Sequence, residues 1–146
     1  MRNAVNSSTP ITPALNAVPL MLWCFVALTG ASSVLLEAYF SHGLSAEVSA
    51  QVLKSLETAA SYQRFNSLVM VVALLLAARS TRRWRYLPAS CFALAILSFS
   101  GGIYAKHLLD IATGSLTPTG GVLMALGWLL LARLGWLSGA EWSKSR

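Results

Sequence analysis

The side chains best equipped for chemistry in this 146-residue chain fall into four short groups. Glu37 and His42 form the first, and Tyr62, Gln63, Arg64 and Asn66 the second. Ser100, Tyr104, Lys106, His107 and Asp110 form the third, and Thr117 stands alone as the fourth. Imidazole and carboxylate together suit zinc, so His42 and His107 with Glu37 or Asp110 make one candidate metal set. Their spacing contains neither an i, i+4 pair nor a CxxC, and a hydrogen-bonding role at helix ends fits both histidines better. No metal and no cofactor is therefore expected. Glu37 could instead couple a proton, because acids inside a membrane are costly and often functional. It ends an apolar run and does not interrupt one, which favours pairing with Arg64 or Lys106 among lipid head groups. Tyr62 and Tyr104 fit interfacial anchoring as well as they fit a binding role.

Two glycine-containing motifs have plain structural readings. Thr117-Pro118-Thr119-Gly120-Gly121 lacks the lysine of a nucleotide-binding loop. Thr117 as a helix N-cap, with Pro118 at the first helical position, accounts for it. Ser100-Gly101-Gly102 does not follow a strand, as a nucleophile elbow must, and reads as a face for close helix packing. Gly120 and Gly127 lie seven apart and share one helical face, again suited to close packing. No catalytic residue emerges, and the chain is expected not to be an enzyme.

The elements that must position these groups are set by composition. Apolar residues make up 55% of the chain and charged ones 11%, where a soluble domain carries about 25% charged. So few charges cannot solvate a globule, but they suffice where lipid covers most of the surface. The net charge of +6 includes four arginines in a single link, Arg79, Arg82, Arg83 and Arg85. That placement is topological, and nucleic-acid binding is not expected. Cys24 and Cys91 both lie in apolar stretches, with no CxxC and no disulfide framework.

Four apolar stretches at about 18–37, 64–79, 86–107 and 118–137 predict an all-α integral membrane bundle of four spans, because a hydrocarbon core about 30 Å thick takes roughly 20 helical residues. Residues 1–16 read as a polar tail, 17–138 as the transmembrane domain and 139–146 as a short C-terminal tail. The first stretch has one preceding charge, Arg2, and no following A-x-A site, so it reads as an uncleaved span. Ala27, Gly30 and Ala31 offer it small residues for close packing. The segment 45–62 differs in kind. Leu44, Val48, Val52, Leu56 and Ala60 recur every four residues, and Glu47, Lys54 and Glu57 fall elsewhere. It predicts an amphipathic helix capped by Ser45, lying at the membrane surface or over the outer end of the bundle. The second span has an uncharged run of only 14 residues, Phe65 to Ala78, about 21 Å of helix. Arg64 and Arg79 must then reach for the head groups, or the bilayer must thin.

The basic residues set the orientation. Arg2, Arg79, Arg82, Arg83, Arg85, Arg133, Lys144 and Arg146 fall on one side, and Lys54, Arg64 and Lys106 on the other. That bias predicts cytoplasmic N- and C-termini in a bacterial cytoplasmic membrane. All four chemically equipped groups then lie at the outer end.

His42-Gly43-Leu44, Tyr62-Gln63-x-Phe65, Phe99-Ser100-Gly101-x-x-Tyr104 and Thr117-Pro118-x-Gly120-Gly121 through Gly127-Trp128 occur in one order over about residues 20–132. In this the chain resembles the DUF423 family of small four-span membrane proteins. The resemblance implies a fold and a membrane location, and no activity. Two positions depart from the family pattern: Glu37 stands where a glycine is usual, and Asn66 where a histidine is usual. The latter weakens any metal or proton role that the histidine would have in the family. The expected function is a structural or accessory membrane component, acting through lipid or partner contacts at its outer end, with the lipid bilayer, a membrane-protein partner or a homo-oligomer as its expected associations. The competing expectation is a small proton- or solute-coupled transporter built on Glu37.

Overall fold

The computed structural model describes residues 17–144, with side chains to residue 140. The expected N-terminal tail, Arg2 and Arg146, and the side chains of Trp142 and Lys144 lie outside the described residues. The first helix, α1, spans Ala17–Tyr39 and runs straight into a π-turn at Phe40–Leu44. α2 spans Ala50–Arg79. α3, Leu87–Ala95, continues through a second π-turn, Ile96–Ser100, into α4, Gly101–Leu108. α5 spans Leu116–Lys144, taking up much of the expected C-terminal tail. Four helical rods, Ala17–Leu44, Ala50–Arg79, Leu87–Leu108 and Leu116–Ala140, are long and apolar enough to cross a membrane. No strand occurs among the described residues.

The amphipathic segment is not a separate surface helix. It forms the first half of α2 and is continuous with the second span, because no Gly or Pro interrupts the chain from Ala50 to Arg79. The expected cap at Ser45 is displaced as well. The π-turn carries the first rod on to Leu44, Glu47 N–H donates to the Leu44 carbonyl, and Ser49 Oγ accepts from Val52 N–H instead. The four-residue stripe packs inward: Leu44, Leu56 and Ala60 bury against Phe40, with Ile103 and Tyr104 of α4 beside them. This arrangement removes the problem of the short second span, since α2 is 30 residues long, about 45 Å.

α2 and the α3–α4 rod form the centre. α1 packs chiefly on α2 and α5 chiefly on α3, and α1 and α5 do not touch among the described residues. Met70, Ala73, Leu74, Ala89 and Phe92 are fully buried or nearly so in the middle of the bundle. Interlocking side chains of this kind hold helices together in lipid, where apolar burial alone gives no drive. The outer helices present seven-residue stripes to the surroundings. Met21, Leu28 and Leu35 on α1 are 69–71% exposed, and Val122, Leu129 and Trp136 on α5 are 61–81% exposed. Lipid is the solvent such surfaces require.

Candidate functional site

The two ends of the bundle differ in chemistry. The arginine end holds the link between α2 and α3. There Arg85 donates to the Ser80 carbonyl at 2.7 Å and lies over the Tyr86 ring, and Arg133 of α5 lies over Trp84. Guanidinium groups stacked on aromatic rings suit a head-group layer, where ring faces and charges are both accommodated. Arg79 and Arg83 are exposed. The opposite end, called distal here, carries the four polar groups.

A polar seam runs between α1 and α2. Gln63 Nε2 donates to the Thr29 carbonyl and to Ser32 Oγ, both at 2.8 Å. Thr29 Oγ1 and Ser67 Oγ share a hydrogen bond of 2.8 Å, and Ser67 also bonds the Gln63 carbonyl. Ser33 is fully buried and donates to the Gly30 carbonyl. Every one of these groups has a partner inside the protein, as lipid depth demands. Of the seam, only Gln63 is foreseen above. Thr29, Ser32 and Ser33 carried a readable signal, because polar residues at i, i+3 and i+4 mark one stripe of an otherwise apolar span.

Glu37 and Arg64 close the seam toward the distal end as an ion pair, with Arg64 Nη2 also donating to Glu37 Oε1 at 3.4 Å. Arg64 lies fifteen residues, about 22 Å, along α2 from Arg79, and pairing spares it from reaching to the lipid surface. Both side chains are about a third exposed or more, at the periphery of the bundle. Asn66 is turned the other way, toward α5. Its Nδ2 donates to the Tyr62 carbonyl at 2.8 Å and meets Met124 Sδ at 3.4 Å. Tyr62 stacks obliquely on Phe99, with centroids 5.0 Å apart.

The second π-turn sets the next contacts. Ser100, at its end, is buried and donates across to the Ala59 carbonyl of α2 at 2.8 Å. Phe99 lies over Gly120, where an added Cβ would come within 2.5 Å of the Phe99 backbone nitrogen. Gly127 makes a similar approach to the Phe92 ring, and Gly102 to the Thr117 hydroxyl. Gly121 and Gly30 face open space, and Gly101 meets only the Ile96 carbonyl at 3.9 Å, so these three make no close helix contact. α5 begins at Leu116, placing Thr117 inside its first turn and not at the cap. Tyr104 buries its hydroxyl without a hydrogen-bond partner.

His42 is exposed in the first π-turn, and Asp110 is exposed in the loop after α4, where it adopts a left-handed φ of 54°. Among the described residues, no three His, Cys, Asp or Glu side chains come together as metal ligands. Lys106, His107 and Thr117 line a cavity of about 450 Å3 with Lys54, Thr58 and Thr113. The structure thus disperses the expected cluster: the ion pair closes the seam, Asn66 and Ser100 make separate bonds in the interior, Lys106, His107 and Thr117 line this basic cavity, and His42 and Asp110 stand exposed outside all three.

Comparison with known proteins agrees with these features. The family described as "Protein of unknown function (DUF423)" matches residues 36–121. A UPF0382 membrane protein of Haemophilus influenzae is 37% identical over 108 residues, covering 73% of this chain and 86% of its own. One from Schizosaccharomyces pombe is 38% identical over 119 residues, covering 75% and 96%. The UPF0382 inner membrane protein YgdD of Escherichia coli is 31% identical over 108 residues, covering 73% and 82%. No solved structure matches. With the family match running from the end of α1 through α2, α3 and α4 into the start of α5, and the relatives sharing most of their length, this four-span chain belongs to the DUF423 family of membrane proteins.

Proposed function

We propose that this protein is a small accessory component of a bacterial cytoplasmic membrane, non-enzymatic, with both termini cytoplasmic and its working surface at the distal, extracytoplasmic end. It acts there through contacts with lipid or a membrane-protein partner. The observation that carries this reading is the satisfied polar seam between α1 and α2. The polar groups of the seam bond to one another, and Glu37 is held by Arg64 at the periphery, away from the packed centre. A proton path built on Glu37 needs that carboxylate facing water, with polar groups left to lead to it. The printed name of the Escherichia coli relative, an inner membrane protein, supports the location.

The competing reading makes Glu37 the proton-coupling group of a transporter. Purified protein in liposomes carrying a pH-sensitive dye separates the two. The accessory reading expects proton flux no greater than in empty liposomes, for both the natural protein and Glu37→Gln. Flux that Glu37→Gln abolishes would overturn it.

A further inference from the structure

The distal cavity has a composition that the α1–α2 seam does not. Lys54 from α2 and Lys106 and His107 from α4 line it together, and no carboxylate among the described residues does. Neither lysine has an ion-pair partner among the described residues; the ion pair found is that of Arg64 with Glu37. Thr113 and Thr117 contribute two hydroxyls that take no intrachain hydrogen bond there. The first turn of α5, entered through Thr117, adds the positive end of a helix dipole. Two ammonium groups, an imidazole, free hydroxyls and a helix start together select a compact anion, and phosphate offers the oxygens to meet them.

Depth points the same way. Lys106 lies twenty residues beyond Tyr86 at the arginine end, about 30 Å of helix. That equals the thickness of the hydrocarbon core, so the cavity opens at the level where lipid phosphates lie.

We propose that this cavity binds a phosphate group, carried by a phospholipid head or present as free phosphate. The proposal rests on the accessory reading, for which it names the ligand at the distal end. The test uses the full chain in detergent, titrated in native mass spectrometry with short-chain phosphatidylglycerol and, separately, with inorganic phosphate. One phosphate-bearing ligand per chain is expected. Apparent affinity should fall at least about tenfold in the Lys54→Gln/Lys106→Gln double variant, the loss of charge-assisted contacts. It should be retained in Lys54→Arg/Lys106→Arg and in an Arg79→Gln/Arg83→Gln control. Both lysines are exposed, so the variants should keep the natural helix content and melting temperature. Phosphatidylglycerol binding that inorganic phosphate does not displace identifies a lipid head. Displacement at matching concentration identifies free phosphate. Affinity unchanged in the double variant, or no binding of either probe to the natural chain, overturns the proposal. Those results leave the accessory reading standing, whereas Glu37-dependent proton flux would remove that reading without touching the lysine-dependent binding.

Discussion

Gln63 is the residue on which the α1–α2 seam turns. It is 4% exposed and donates two hydrogen bonds across to α1. Hydrogen bonds between membrane helices contribute about 0.6 kcal/mol each on average. Gln63→Leu should therefore lower stability by about 1 kcal/mol, read as a drop in the denaturant midpoint in detergent, with Ser32 Oγ losing its donor. An unchanged midpoint would show that the seam does not hold the hairpin. Gln63 was legible as an unusual polar residue, but its partners were not singled out. Seam bonds join residues 31 and 34 apart in sequence, and only the antiparallel register of the hairpin brings them level. Glu37 and Arg64 were easier to read, because opposite charges at span ends have few other partners in lipid.

At the scale of elements, the four spans were written in the hydropathy, and the structure keeps all of them. The fate of segment 45–62 was less legible. Its four-residue stripe fits both a helix on the lipid surface and a helix packed on its own bundle, and periodicity does not tell these apart. What decides is the unbroken run from Ala50 to Arg79, together with Phe40 and α4 as a surface to pack against. The π-turns were not visible, since they depend on how one rod seats on its neighbours. Glycine roles divide sharply. At Gly120 an added Cβ would run into the backbone of Phe99, while at Gly121 it would meet nothing within 4 Å. Gly120→Ala should cost about 1–3 kcal/mol by forcing α5 off the second π-turn, and Gly121→Ala should be neutral or stabilise by up to about 1 kcal/mol through helix propensity. Thermal melts of the two variants check this side by side; equal loss in both would contradict the packing described.

The described residues form a bundle with two unlike ends, one stacked with arginines and aromatics and one carrying a basic cavity. The proposed orientation, argued from charge bias, puts the arginine end in the cytoplasm, so a reporter fused after Arg146 should be active only in its cytoplasmic form. An active extracytoplasmic reporter would invert every assignment of inner and outer surface. The apolar stripes on α1 and α5 are exposed, and the proposed working surface is the distal rim. The measurement that bears most directly on this account is native mass spectrometry of the protein gently extracted from its own membrane. The account predicts a lipid or a protein retained at fixed stoichiometry across preparations. A chain that emerges bare, or only as copies of itself, would contradict it.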